Sequence, residues 1–206
     1  MAINKKHWYD GWFYDRFIAK HQDELFHQII EVIEPDKNVI DVGCGTGRFS
    51  FLAAHKCRSV LGIDLSERNI QRAQHTLSER PEGKISFMHK SVSEVISEAH
   101  GHFDYAVLTF VIHEVDESER IKLLNEIFLF ADKIIIGDYL VPQPHGLIRR
   151  VNQAVEFLAG KEHYDNFKNF AAGGGILGLV KKGGFKAERD IKEEMSAMHL
   201  VIINKI

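Results

Sequence analysis

The stretch that decides the fold is VIDVGCGTGRFS at residues 39–50. Apolar β-branched residues and Asp41 run directly into Gly43, Gly45 and Gly47, a pattern typical of a strand that turns sharply through a loop into a helix. Glycines allow the backbone of such a loop to lie close against a ligand. Because a bare turn does not require three glycines, we expect this loop to hold a phosphate, a nucleotide or a cofactor.

The composition is that of a single globular domain covering residues 1–206. A chain of 206 residues with 45% hydrophobic content can bury one sizeable core. The formal net charge of -3 gives no basic excess of the kind that binds a nucleic-acid backbone, so we expect no nucleic-acid partner. The 2 cysteines are too few for a disulfide framework, and no run approaches the roughly 18 apolar residues of a membrane span. We therefore expect a soluble, cytoplasmic protein, with its oligomeric state left open.

Short apolar runs alternate with amphipathic runs along the chain. Five runs nearly continuous in Val, Ile, Leu or Phe are typical of parallel strands buried on both faces: 38–42, 60–64, 85–89, 105–110 and 133–137. Helical patterns lie between them, with Ser66 and Ser118 as predicted N-caps. Two further strands, 185–191 and 198–203, leave no room for a crossover helix and must pair antiparallel. The predicted fold class is α/β: a doubly wound, mostly parallel seven-stranded sheet with a C-terminal antiparallel hairpin.

The spacing of the glycine loop argues against a dinucleotide site. A dinucleotide loop requires G-x-G-x-x-G, whereas this loop reads G-x-G-x-G and has Arg48 where the third glycine would stand. Asp41 is ill suited to a pyrophosphate but well suited to a ligand that carries an ammonium group. A second acid, Asp64, ends the next strand, where its carboxylate can accept both hydroxyls of a ribose. The two acids indicate a nucleoside joined to a cationic group.

These motifs resemble those of the class I S-adenosylmethionine-dependent methyltransferases of the small-molecule type. The resemblance runs from Asp36 to Ile206 and rests on VIDVGCGTG, GIDLS, FDYAVLTFVIHEV and the terminal hairpin. It implies a Rossmann-like methyltransferase fold and an enzyme that uses S-adenosyl-L-methionine and releases S-adenosyl-L-homocysteine. It also implies direct in-line displacement onto a small-molecule acceptor. Two alternatives stay open: a nucleotide-linked oxidoreductase, and an S-adenosylmethionine-binding module without catalysis.

The resemblance also implies which residues bind the cofactor. Asp41 would reach the methionine amino group, and Asp64 would bind the ribose hydroxyls. Ser91 stands where the family commonly has an aspartate for the adenine amine, and the backbone amide of Val92 would meet the adenine ring. A tyrosine ahead of the glycine loop, here Tyr14, would meet the methionine carboxylate. The full implied set is Tyr14, Asp41, Gly43, Cys44, Gly45, Gly47, Asp64, Leu65, Ser91, Val92, Thr109 and Phe110.

Candidate residues for the acceptor lie beyond the fourth strand. His113 follows that strand with Glu114 beside it, and a histidine at this position suits a general base near neutral pH. Residues 139–171 form an insertion longer than the fold requires, and we predict that it covers the acceptor together with an aromatic-rich N-terminal helical lid at residues 1–34. Polar candidates in the insertion are His145, Arg149, His163 and Tyr164, of which His145 and Tyr164 join His113 as candidate catalytic residues. No residues have the spacing of a metal site, so we expect no metal.

Overall fold

A computed structural model describes most of the chain. The described residues are 19–98, 101–144, 152–153, 156–157, 160–193 and 196–205. The predictions for Tyr14, His145 and Arg149 lie outside them, as does the part of the predicted N-terminal lid that precedes residue 19.

Seven strands form one sheet. They are β1 (Asn38–Val42), β2 (Ser59–Asp64), β3 (Ile85–His89), β4 (Phe103–Thr109), β5 (Ala131–Tyr139), β6 (Lys186–Glu193) and β7 (Met198–Asn204). Their order is β3-β2-β1-β4-β5-β7-β6. The first five pair in parallel, and β7 pairs antiparallel with both β5 and β6. The predicted fold class is therefore confirmed, including the antiparallel hairpin.

Helices cover both faces of the sheet and connect its strands. They are α1 (Ala19–Val32), α2 (Arg48–Ala53), α3 (Glu67–Glu79), α4 (Val92–Ser97), α5 (Glu117–Ile127), α6 (Lys161–Ala172) and α7 (Gly175–Gly183). Ser66 caps α3 as predicted, because its side chain accepts a hydrogen bond from the backbone of Asn69. The prediction of Ser118 as a cap is wrong, since α5 begins at Glu117 after Asp116.

Neighbouring residues of a strand point to opposite sides of the sheet, and in the apolar strands both sides are buried. In β1, Val39 belongs to the core on one face and Ile40 to the core on the other, and both are fully buried. The described part of the predicted N-terminal lid, α1, belongs to one of these cores. Its Leu25 and Ile29 pack so closely on β5 that a Cβ at Gly137 would lie 2.9 Å from Leu25. Helix α1 therefore covers the sheet.

The parallel strands bring their carboxyl ends to one edge of the sheet. The glycine loop follows β1, Asp64 ends β2, Phe110 follows β4, and Tyr139 ends β5. Ligands of open α/β sheets bind at this edge, near the position where the strand order reverses. Among the described residues, no helix has both the length and the apolar character needed to cross a membrane.

Candidate functional site

The glycine loop takes a conformation that excludes side chains at two positions and leaves a third open. Gly43, Gly45 and Gly47 all have positive φ angles, of 75°, 55° and 84°. A Cβ at Gly43 would lie 2.4 Å from Val111, and one at Gly47 would lie 2.4 Å from Phe87. A Cβ at Gly45 would meet nothing within 4 Å. The two outer glycines therefore serve packing, whereas Gly45 presents bare backbone to open space.

Asp41 is a fully buried acid with one unused oxygen. Its Oδ2 accepts a hydrogen bond of 2.6 Å from the Ser50 hydroxyl, whereas its Oδ1 has no hydrogen-bond partner among the described residues. Burial raises the pKa of Asp41 to about 7, with a smaller contribution from the nearby charge of Asp64 and an opposing one from Ser50. Buried polar atoms are normally paired, so the free oxygen indicates a missing hydrogen-bond donor or cation.

Asp64 braces the glycine loop from the end of β2. Its Oδ2 accepts the N–H of Gly45 at 2.8 Å, and its Oδ1 accepts the N–H of Ser66 at 2.7 Å. Leu65, which lies between Asp64 and Ser66 in the sequence, has 61% of its surface exposed, which is unusual for a large apolar side chain. Asp64 and Leu65 therefore present a carboxylate and an apolar surface side by side at the sheet edge.

Ser91 and Val92 begin helix α4. The Ser91 hydroxyl accepts the N–H of Glu94 at 3.3 Å, and the Glu94 carboxylate accepts the backbone N–H of Ser91 at 2.8 Å, so the two residues form a capping box. Val92 is the first residue of the helix, and its N–H therefore has no acceptor within the helix itself. Ser91 already has a structural role at this position, whereas the Val92 amide suits a ligand atom.

The end of β4 carries an unusual backbone conformation. Thr109 is half-buried at the last position of the strand, and Phe110 follows it with a φ of 56°. A positive φ at a bulky residue indicates a constraint, and such residues cluster at functional sites. The N–H of Phe110 donates to the carbonyl of Gly137 at 2.8 Å, and its ring packs edge-on against Tyr139 at 5.4 Å. Phe110 is thus fixed at the edge where the strands end.

His113 is buried between two carboxylates. Only 2% of its surface is exposed, its Nδ1 lies 2.7 Å from Asp138 Oδ1, and its Nε2 lies 3.6 Å from Glu156 Oε1. The Tyr139 hydroxyl donates to Glu156 at 2.8 Å. Burial alone would lower the pKa of His113, but Asp138 and Glu156 outweigh it and hold that pKa well above its ordinary value. Nowhere in the described part of the chain do three His, Cys, Asp or Glu residues form a group suited to a metal ion.

A buried arginine and a buried asparagine fix the chain that follows His113. Arg120 on α5 donates to the carbonyls of His113, Val115 and Asn166 at 3.3, 2.9 and 2.8 Å. Asn166 on α6 in turn donates to the carbonyl of Glu114 at 2.8 Å. These bonds dock α6, the described end of the predicted insertion, onto the segment between β4 and α5.

Glu114 lies beside His113 at the protein surface. Its side chain is 45% exposed, and its Oε1 lies 4.0 Å from His113 Nε2 and 3.8 Å from His163 Nδ1. Although the side chain is partly exposed, the surrounding protein raises the pKa of Glu114 to about 7, chiefly through desolvation, and the positive charge of His113 opposes the shift. The carboxylates of Glu156, Asp138 and Asp64 act in the same direction as the desolvation. The N–H of Glu114 donates to the carbonyl of Val111, and Val111 packs against Gly43, so Glu114 lies near the glycine loop.

Tyr164 on α6 makes contacts of a different kind. Its ring packs edge-on against Phe157 at 5.7 Å, and the ammonium of Lys168 lies 4.7 Å above the ring. Phe157 is 66% exposed. The structure thus joins His113, Glu114 and His163 into one cluster, while the contacts described for Tyr164 lie with Phe157 and Lys168.

Four residues that contact this cluster were not predicted from the sequence: Arg120, Asp138, Glu156 and Asn166. Asp138 had a local signal, because an acid at the end of the apolar run KIIIGD repeats the pattern of Asp64 at the end of VLGID. The other three lie on helices or in the insertion, and their partners are distant in sequence. No local pattern marks them.

Comparisons with known proteins agree with this geometry. Residues 39–130 match the family described as "Methyltransferase domain". YqeM of Bacillus subtilis (strain 168) is 33% identical over 136 residues, which make up 66% of this chain and 50% of YqeM. The chain thus spans half the length of that relative, and smaller shares of others such as the bifunctional methyltransferase/kinase WbdD of Escherichia coli, of which it spans 13%.

Solved structures share the fold over nearly the whole chain. Magnesium protoporphyrin IX methyltransferase (ChlM) from Synechocystis PCC 6803 with bound SAM has a TM-score of 0.63 at 16% identity, over 94% of this chain and 84% of that one. The PH0226 protein from Pyrococcus horikoshii OT3 has a TM-score of 0.69 at 18% identity, over 98% of this chain and 100% of that one. The comparisons agree with the predicted family: residues 39–130 match a methyltransferase domain, and the fold is shared with S-adenosylmethionine-dependent methyltransferases of known structure.

Proposed function

We propose that the chain is an S-adenosylmethionine-dependent methyltransferase that acts on a small-molecule acceptor by direct in-line displacement. The observation that carries the proposal is the Oδ1 of the fully buried Asp41, which has no partner in the described part of the chain, together with the open backbone of Gly45. A ligand with an ammonium group, directly or through an ordered water, supplies what the Asp41 oxygen lacks. The chemistry of the residues at this edge therefore fits the cofactor that the family uses.

Each residue at the strand ends binds a different part of the cofactor. Asp41 holds the methionine ammonium, Asp64 accepts the ribose hydroxyls, and the exposed side chain of Leu65 packs on the adenine. The N–H of Val92 meets the ring, since the hydroxyl of Ser91 already caps a helix. When bound, S-adenosylmethionine supplies a methyl group that is activated by positively charged sulfur. The chain has to hold an acceptor in line with that group and exclude water, and orientation of this kind contributes about 7–11 kcal/mol.

The insertion at residues 139–171 covers the acceptor in this proposal. Its described residues support this: Glu156 is buried against His113, and α6 docks beside Glu114 through Asn166. The chain then forms one domain in which the insertion and the N-terminal segment close over the sheet edge. The free and buried thiols of Cys44 and Cys57 support a reducing compartment such as the cytoplasm.

Calorimetric titration with S-adenosylmethionine, S-adenosylhomocysteine and NAD tests the cofactor assignment. We expect both adenosyl ligands to bind and NAD not to bind, because the G-x-G-x-G loop carries Asp41 where a pyrophosphate would meet negative charge. Preferential binding of NAD would overturn the proposal in favour of a nucleotide-linked oxidoreductase.

A second measurement separates the enzyme from a binding module. The protein is incubated with methyl-labelled S-adenosylmethionine and fractionated pools of small metabolites, and labelled products are detected by mass spectrometry. We expect a labelled small molecule, and we expect no label in nucleic acid added to the same reaction. Tight cofactor binding without any labelled product would favour the non-catalytic module.

A further inference from the structure

His113 and Glu114 are neighbouring groups that can each take a proton, and His113 is the less suitable of the two. Both ring nitrogens of His113 face carboxylates, Asp138 at 2.7 Å and Glu156 at 3.6 Å, and 2% of the residue is exposed. These surroundings stabilise the imidazolium form, in which neither nitrogen has a lone pair. His113 therefore serves as a fixed positive charge that holds Glu156 of the insertion against β5.

Glu114 has the opposite properties. Its main chain is fixed, because its N–H donates to the Val111 carbonyl at 3.0 Å and its carbonyl accepts from Asn166 at 2.8 Å. Its side chain is 45% exposed, whereas those of Asp138 and Glu156 are 0% and 6% exposed. Its carboxylate lies 3.8 Å from His163 and 4.0 Å from His113, which are distances of ion pairs and exceed those of hydrogen bonds. The carboxylate thus lies on a fixed main chain and is accessible to a ligand from the surface.

The charges around Glu114 select the chemistry of that ligand. Asp138 on β5, Glu156 in the insertion and Asp64 on β2 all disfavour a further negative charge at Glu114. The imidazolium of His113 is shared with two of these carboxylates and offsets them only in part, and His163 at 3.8 Å adds a positive charge only when it is protonated. An ammonium group is stabilised in such surroundings, whereas a phenolate, a thiolate or a carboxylate is repelled.

The geometry points to Glu114 as the residue that binds and deprotonates the acceptor, and to an amine as the acceptor. This assignment rests on the proposed function. The acceptor ammonium donates a hydrogen bond to the Glu114 carboxylate; the N–H bond then breaks, its electron pair stays on nitrogen, and the proton binds a carboxylate oxygen. The nitrogen lone pair then forms the bond to the methyl carbon while the bond from that carbon to sulfur breaks, its electron pair stays on sulfur, and S-adenosylhomocysteine is released. The proton leaves Glu114 through its solvent-exposed side. A carboxyl with a pKa of about 7 suits proton transfer near neutral pH.

Binding to the S-adenosylhomocysteine complex tests the acceptor class without turnover. The probes are a panel of small primary and secondary amines and the phenols and thiols with the same carbon skeletons, titrated by calorimetry into the protein saturated with S-adenosylhomocysteine. We expect amines alone to bind, and Glu114→Gln to weaken that binding at least tenfold without changing the affinity for S-adenosylhomocysteine. Glu114→Asp keeps the charge and should keep amine binding. The matched control is Glu117→Gln, since Glu117 pairs with Lys182 at the surface.

Methyl transfer to an amine that binds supplies the second measurement. The wild-type rate should rise with pH through a limb near 7, and Glu114→Gln should lose about 10²-fold or more in kcat together with that limb. Thermal melting of both variants checks that they are folded. A wild-type protein that binds S-adenosylhomocysteine but no amine, or that methylates phenols or thiols instead, overturns the assignment. So does a Glu114→Gln variant with an unchanged rate. Failure to bind either adenosyl ligand would instead count against the proposed function itself.

Discussion

The proposed cofactor side of the site is built from residues close in sequence, whereas the proposed acceptor side is assembled from distant ones. Asp41 and its partner Ser50 are 9 residues apart, and Asp64 reaches Gly45 across 19. On the acceptor side, His113 meets Asp138 across 25 residues, and Asn166 meets the Glu114 carbonyl across 52. The first side is a local motif, and the second exists only after β4, β5 and the insertion have packed together.

The two sides also differ in how far their polar atoms are satisfied within the protein. Among the residues that the structure describes, Asp41 Oδ1 has no hydrogen-bond partner, so this oxygen is available to a ligand. His113 has a carboxylate at each ring nitrogen, so its interactions contribute to the fold itself. Substitutions on the cofactor side should therefore change binding, whereas substitutions inside the His113 cluster should change stability.

The largest effect is expected from His113→Leu. This change leaves the buried carboxylates of Asp138 and Glu156 without their shared positive charge, and the removal of one partner from a buried ion pair costs about 3–5 kcal/mol. Urea denaturation measures the loss in the free energy of unfolding. The matched control is His102→Leu, because His102 and its partner Asp132 are both exposed and such pairs contribute about 1 kcal/mol or less. Equal losses in the two variants would mean that the cluster does not stabilise the fold.

This contrast explains which features could be predicted from the sequence. The strands, the glycine loop, Asp41 and Asp64 are marked by local spacing, and the sheet order follows from alternating strands and helices. Glu156, Arg120 and Asn166 are polar residues in stretches of sequence typical of a protein surface, and only tertiary packing buries them. Their roles depend on contacts that no window of sequence contains.

Helix caps show the same limit at short range. Ser66 and Ser118 both precede helical patterns, yet Ser66 is a cap and Ser118 lies within the first turn of α5. Acidic residues fill the start of α5, so several positions there satisfy the rule for a helix start. A boundary shift of two residues is enough to move the cap from Ser118 to Asp116.

On the cofactor side, Asp64→Ala should weaken S-adenosylmethionine binding by about 1.5–3 kcal/mol, which corresponds to roughly a 10- to 150-fold rise in Kd. The carboxylate both suits the ribose hydroxyls and holds the N–H groups of Gly45 and Ser66, so its loss removes ligand contacts and loosens the loop. Calorimetry measures the change, with the exposed Glu67→Ala as a control from the adjoining helix. An unchanged Kd would show that the ribose is held elsewhere.

Gly45→Ala separates the loss of folding stability from the loss of affinity for S-adenosylmethionine. Gly45 and Gly184 have positive φ angles of 55° and 67°, and a Cβ at either position would meet nothing within 4 Å. Alanine should therefore destabilise the fold similarly at both, by about 1–2 kcal/mol. Only the Cβ at position 45 would occupy the proposed cofactor space, so we expect about a tenfold or greater loss of S-adenosylmethionine affinity for Gly45→Ala and none for Gly184→Ala. A matched loss of stability with full affinity in both variants would place the cofactor away from Gly45.

The last expected effect is the pH dependence conferred by Asp41. Because its pKa is raised to about 7 in the folded protein, the folded state binds this proton more tightly than the unfolded state does. Stability without ligand should therefore fall as pH rises from about 4 to about 7 and then level off. Asp41→Asn keeps an acceptor for Ser50 but cannot ionise, so it should match the wild type near pH 4 and exceed its free energy of unfolding by about 1 kcal/mol or more at pH 8. Urea denaturation of both proteins across this range gives the difference, in which the titration of His113 and other shared groups cancels.

The same Asp41→Asn variant should bind S-adenosylmethionine more weakly at pH 8, because it lacks the negative charge that faces the ammonium. A variant that is more stable yet binds equally well would separate the buried charge of Asp41 from the cofactor and leave its unpaired oxygen to a bound water alone.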